Sequence, residues 1–223
     1  MIEHHLPADI ERTSMRIIGE ELTERGITLP PETEAVVKRV IHTSADFDYA
    51  ENLRFTEGAV QKGAAALLRG VPIVTDTNMA LAGVSKPSLA KLGGSVRCFM
   101  AEEETARLAK ERGTTRAAVS MELAAKTCPE VILAVGNAPT ALLEIETLME
   151  EGFRPALVIG VPVGFVNVVE SKERILRACE KNGVPAIVAL GRKGGSNVAA
   201  AICNALLYTA VGALDPAKRG WQG

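Results

Sequence analysis

Five short runs along this chain are apolar at nearly every position instead of every second one, and each stops abruptly at Gly, Pro, Asn or Thr. They are VPIVTDT at 71–77, SVRCFM at 95–100, EVILAVGNAP at 130–139, ALVIGVPVGF at 156–165 and PAIVALGRKGG at 185–195. A strand with one wet face alternates; a strand with no polar face must be covered on both sides, which is the environment of a parallel sheet between helical layers. The segments 101–113, 114–127, 139–152, 170–183 and 195–214 carry helical periodicity, and Gly113, Gly152 and Gly183 stand where left-handed C-caps form. The alternation predicts an α/β fold: a three-layer α/β/α sandwich with a mainly parallel sheet of about five strands.

Ahead of the first strand the pattern reads as helical for about seventy residues, with helices over 7–26, 30–42 and 56–70. A chain of 223 residues with 47% hydrophobic content buries one substantial core, so we expect one domain over 1–223, with 1–8 and 215–223 as flexible tails. Net charge is -2, which supplies no general positive field for nucleic acid or an anionic membrane. Cys98, Cys128, Cys179 and Cys203 form no CxxC pair and read as reduced thiols. The N-terminus has no apolar core segment of a signal peptide, and the apolar runs are broken too soon to span a bilayer. The expectation is a soluble cytoplasmic protein with neither nucleic-acid nor membrane partners.

His42 is the one histidine away from the N-terminus. In a helix ending near residue 42, Arg39 and Lys38 lie three and four positions before it and share its face, at a border between core and cationic surface. Spacing leaves two readings open: a histidine satisfied by the helix end, or a general acid–base whose reference pKa of about 6.5 suits proton exchange near neutrality. Ser14, Ser44 and Ser196 are nucleophile candidates, but GxSxG is absent and a triad is not expected. His4, His5 and His42 lack HExxH or clustered carboxylates, so no metal site is expected either.

The loops after the strands are more informative, because carboxyl ends of parallel strands face the ligand crevice and helix N-termini there present unpaired N–H groups. TDTN (75–78), GNAPT (136–140), GVPVGFVN (160–167) and GRKGGSN (191–197) all fall at such ends, and together they suit a large polar ligand. Neither GxxxxGK[ST] nor GxGxxG follows the first strand, which disfavours a nucleotide. Thr114 or Thr115 caps a helix whose first turn holds Arg116; a cation there opposes the helix dipole and is better explained by an anion to be met.

Six stretches now stand together: RVIHTSADFD, TDTNMALAGV, GTTRAA, VGNAPTALLEI, IGVPVGFVNVVESKE and GRKGGSNVAAAICNAL. Over about Ile10 to Leu207 the chain resembles the precorrin-8X methylmutase (precorrin isomerase) family of cobalamin biosynthesis. The resemblance implies an α/β homodimer without added cofactor that moves a methyl group from C11 to C12 of precorrin-8X or cobalt-precorrin-8. It implies His42 as proton donor and acceptor, Ser14 and Arg39 at substrate-binding positions, and Arg116 as a basic residue near the ring. Adding the strand-end loops and their neighbours, the expected site is His42 with Ser14, Arg39, Thr43, Thr115, Arg116, Asn137, Arg192 and Ser196. A flat macrocycle fringed with carboxylates needs apolar walls, donors and cations, and a [1,5]-methyl shift needs one proton and no redox partner. The rival readings are a corrinoid carrier without chemistry and an unrelated Ser or Cys hydrolase or lyase.

Overall fold

The computed structural model describes residues 6–219, so His4 and His5 lie outside the described residues. Its helices are α1 (Pro7–Glu24), α2 (Pro31–Ser44), α3 (Tyr49–Asn52), α4 (Ala59–Leu68), α5 (Asn78–Gly83), α6 (Lys86–Lys91), α7 (Glu103–Arg112), α8 (Arg116–Thr127), α9 (Pro139–Glu150), α10 (Val168–Asn182) and α11 (Ser196–Ala210). The strands are β1 (Leu53–Phe55), β2 (Ile73–Thr75), β3 (Val96–Arg97), β4 (Ile132–Val135), β5 (Leu157–Gly160) and β6 (Ala186–Ala189). Every apolar run contains a strand, and these five pair in parallel. The sheet has six strands in the order β1-β6-β5-β4-β2-β3, one more than expected. The sixth, β1, pairs antiparallel with β6, Leu53 opposite Ala189.

Why the runs are apolar throughout is visible in how their residues divide. Ile73, Ile132, Ala134, Leu157, Ile159, Ile187 and Ala189 join one core, packed under α1, α2, α4 and α11. Val74, Leu133, Val135, Val158, Ala186 and Val188, the alternate positions, join a second core under α8, α9 and α10. Each side is thus a dry face, and each buried Val, Leu or Ile contributes about 1.5–3 kcal/mol that a water-facing position would forgo.

Two features of the topology position the site. From β2 the chain steps to edge strand β3 and then returns to β4 on the opposite flank of β2, so the strand order reverses between β2 and β4. That is the crevice where ligands enter open α/β sheets. Because β1 runs against β6, its first residue lies at the carboxyl end of β6, and the α2–α3 turn preceding it is brought to the same end of the sheet. The turn is made by Ala45, left-handed at φ 53°, whose N–H returns to the Ile41 carbonyl. An alanine in that region is strained by about 1–2 kcal/mol and directly follows His42-Thr43-Ser44.

Pro7 and Ala8 open α1, and Pro216–Arg219 form a 3-10 turn fixed by Arg219, whose side chain is 5% exposed against Glu11. An arginine anchored in a buried pair holds this segment, which composition alone made look solvated.

Candidate active site

His42 lies in the last turn of α2, exposed, with no hydrogen bond from its ring among the described residues. Behind it is a cluster of charges. The carboxylate of Glu11, on α1, receives Arg39 from α2 at 2.5 Å and Arg219 from the C-terminal turn at 2.7 Å. Arg219 also donates through Nε to the Ala213 carbonyl and lies 3.8 Å from the ring centre of Tyr208, over which Arg39 stands at 5.3 Å. Burial pushes the Glu11 carboxyl up, but hydrogen bonds and charge from the two arginines outweigh it and hold the group below its ordinary value. Partial desolvation lowers the pKa of His42; Arg39 and Arg219 lower it further, and Glu11 opposes them. Lys38, expected to act on His42, is paired with Glu34 instead.

The serines do not form a triad with His42. Ser14 donates to the Ile10 carbonyl at 2.9 Å, Ser44 to the Val40 carbonyl at 2.8 Å, and Ser196 meets the Thr77 hydroxyl at 2.7 Å. Burial pushes the thiols of Cys179 and Cys203 up to about 12, far from a nucleophilic thiolate. Thr43 is exposed beside His42.

At the β2–β4 crevice the structure revises how anions are met. The N–H groups of Gly136, Asn137 and Ala138, expected to be open donors, all point at the buried carboxylate of Asp76, at 2.8, 2.8 and 2.7 Å. Those three donors of the GNAPT turn are therefore taken by the chain itself. Asn137 remains exposed above it, and the Thr77–Ser196 pair closes the side towards α11. A Cβ on Gly136 would stand 2.7 Å from the Ser196 Cα, so only glycine lets the two backbones approach this closely. Thr115 caps α8 by accepting from the Ala118 N–H and meets Thr140 of α9 at 2.9 Å. Arg116, next in the chain, is exposed and has no ion pair among the described residues.

The GRKGGS loop is held at both ends. From beneath, Lys172 of α10, wholly buried, donates to the Gly191 and Lys193 carbonyls at 2.9 and 2.8 Å. From above, Lys193 pairs with Asp46 and Asp48 at 2.7 and 2.6 Å, tying the loop to the turn that follows His42. Arg192 is left exposed with Phe165, itself 83% exposed, 5.4 Å away. The expected residues thus fall into two groups, Ser14, Arg39, His42 and Thr43 on α1 and α2, and Thr115, Arg116, Asn137, Arg192 and Ser196 in the loops and helix starts after the strands. Lys193 is the link between them.

The sequence profile of precorrin-8X methylmutase matches residues 9–209. The chain belongs to that family. It is 43% identical to the cobalt-precorrin-8 methylmutase of Leptospira interrogans, covering 91% of this chain and 94% of that one. It is 44% identical to the cobalt-precorrin-8 methylmutase of Salmonella typhimurium, covering 91% and 95%. The crystal structure of the Thermus thermophilus precorrin-8X methylmutase superimposes with a TM-score of 0.81 at 38% identity, covering 91% of this chain and 98% of that one. As a member of the methylmutase family the chain is an isomerase.

Within this methylmutase fold, four residues of the site were not singled out from the sequence: Glu11, Asp76, Lys172 and Arg219. Asp76 and Lys172 stand inside the family stretches TDTN and ESKE, where a buried charge was a readable signal. Glu11 lies in an ordinary helical pattern, and Arg219 lies past the end of the family match. Beside Arg39 a cavity of about 290 Å³ is lined by Met15, Pro31, Ala35 and Leu214 as well as Glu34 and Lys38, at the small end of the range for ligand sites. Among the described residues no group of histidines, cysteines and carboxylates is arranged for a metal ion, and no helix is long and apolar enough to cross a membrane.

Proposed function

We propose that this methylmutase moves the C11 methyl of a precorrin-8X-type macrocycle to C12, with His42 lending a proton to the ring beside the migration centre. The methyl–C11 bond breaks as the methyl–C12 bond forms. The proton makes the conjugated system electron-poor in the transition state and returns to His42, so nothing is consumed. The observation that carries this reading is an exposed imidazole with no hydrogen-bond partner among the described residues, set against a cluster of two guanidinium groups and one carboxylate. With its pKa lowered, His42 rests neutral near pH 7, and the substrate's carboxylates supply the negative charge that raises it once bound.

Arg39, Arg116 and Arg192 meet the peripheral carboxylates in this reading, Ser14, Thr43 and Thr115 supply hydroxyls, and Asn137 and Ser196 line the strand ends. The ring, with or without cobalt, is larger than the cavity beside Arg39, and exposed Ile10, Ile17 and Leu214 lie on the neighbouring helix and C-terminal segment. We therefore take the working form to be a homodimer whose second copy completes the enclosure. Free cysteines and the absence of a membrane-crossing helix among the described residues support a cytoplasmic location. The test is His42→Ala and His42→Asn, assayed by the visible spectrum with metal-free and cobalt-containing substrate. Binding should persist while turnover drops by roughly 10²–10⁴-fold. Full turnover in both variants removes His42 from the mechanism.

A further inference from the structure

The turn Pro216–Arg219 lies beyond the family match, which ends at residue 209, yet its last residue reaches into the charge cluster behind His42. Arg219 is more enclosed than either partner: its side chain is 5% exposed, against 11% for Glu11 and 12% for Arg39. Its Nη1 alone meets both Glu11 oxygens, at 2.7 Å each, while Nε and Nη2 donate to the Ala213 and Leu214 carbonyls. Two guanidinium groups on one carboxylate leave the cluster with a net charge of +1.

We propose that Arg219 is a positioning residue of the site: by sharing Glu11 with Arg39 it leaves Arg39 incompletely neutralised, so that a carboxylate of the incoming macrocycle completes the coordination. Without Arg219, Glu11 and Arg39 form a closed one-to-one pair, and the anion-receptive charge beside His42 disappears. This rests on the reading of His42 and Arg39 as site residues, and adds a segment outside the family match to it.

The charges acting on the His42 ring are Arg39 on its own helix, Glu11 on α1 and Arg219 on the C-terminal turn. From α11 comes Tyr208, between the two guanidinium groups. In the following turn Asp46 and Asp48 are engaged by Lys193. Removing Arg219 therefore removes one positive charge from this set and raises the His42 midpoint.

The experiment is Arg219→Gln in the full chain, with two readouts: NMR titration of the His42 ring without substrate, its signal assigned by difference from His42→Ala, and steady-state kinetics. The midpoint should move up, KM should rise by about tenfold, the size of one weakened charge-assisted contact, and kcat should stay within about threefold. Unchanged midpoint and KM overturn the proposal. Should Arg219→Gln fail to fold, Arg219→Lys decides: it keeps a second cation to share Glu11, so KM should stay within about threefold of the parent and the midpoint should hold. A rise in KM of about tenfold with the midpoint unmoved, or a fall in kcat alone, overturns the proposal there too. His42→Ala run in parallel separates the two readings, since turnover in that variant sinks the mechanism whatever Arg219 does.

Discussion

Asp76→Asn isolates what the buried carboxylate does for the strand-end crevice. In the parent, Oδ1 accepts from Gly136 and Oδ2 from Asn137 and Ala138, all at 2.7–2.8 Å and away from water. Asparagine keeps the shape but has one acceptor oxygen; placed at Oδ2 it retains two contacts, and its NH2 then faces the Gly136 N–H. The change loses one charge-assisted bond, about 1.5–3 kcal/mol, and strands a buried donor, about 1–3 kcal/mol. An opposing contribution comes from burial, which pushes the Asp76 carboxyl up against the pull of those N–H groups, so a neutral side chain recovers desolvation free energy. The net loss should be about 2–4 kcal/mol, or roughly 5–12 °C in Tm for a chain of this length. Calorimetry and urea unfolding measure it. Asp76→Ala, which strands three donors and opens a void, should be worse. A variant within about 1 kcal/mol of the parent, or an alanine milder than the asparagine, refutes the reasoning by showing that the turn holds itself.

Two further outcomes concern protons. Burial lowers the pKa of Lys172 to about 8, so between pH 8 and its ordinary value of about 10.5 the unfolded chain holds a proton that the folded chain has released. Stability should therefore rise with pH across that window, by about 3 kcal/mol, and Lys172→Met should lack this component; parallel pH dependences in urea unfolding would contradict it. For His42 acting as an acid, kcat/KM should fall as pH rises through a value below about 6.5, while kcat persists to higher pH because bound carboxylates raise the group. A kcat/KM profile flat to about pH 8 would show that the protonated free enzyme is not the reactive form.

The central strands were readable because a residue with no wet side leaves a continuous apolar run, and the alternation between cores at Ile73/Val74 or Ile132/Leu133 is the direct cause. Strand β1 was not readable: three residues, buried, exposed and intermediate in turn, are too few for any period, and its place is set by pairing with β6. Helices α5 and α6 escaped for the same reason of length, at six residues each. Their starts are fixed by the Thr77 and Ser85 hydroxyls accepting from Ala80 and Ser88, a signal carried by single residues. In the site, the position of Arg39 followed from helical spacing, but its partner did not. Glu11 is 28 residues from Arg39 and 208 from Arg219, and no local pattern encodes such pairings.

That difference decides which groups are free to recognise an anion. Glycine-rich strand ends suggested backbone N–H donors, and a sequence shows donors without showing what already faces them. Asp76 consumes three donors of the GNAPT turn, and Lys172 and Lys193 are spent holding the GRKGGS loop. What remains unpaired at this end is guanidinium: Arg116 and Arg192, exposed without ion pairs among the described residues, and Arg39, half-satisfied by a shared carboxylate. Guanidinium suits a carboxylate-fringed ring because its fork matches a carboxylate in two parallel hydrogen bonds while its face rests on an apolar surface. Buried Lys172 and Asp76 brace the crevice and surface Lys193 ties its loop to the turn after His42; in the proposed reading the three arginines give it its charge.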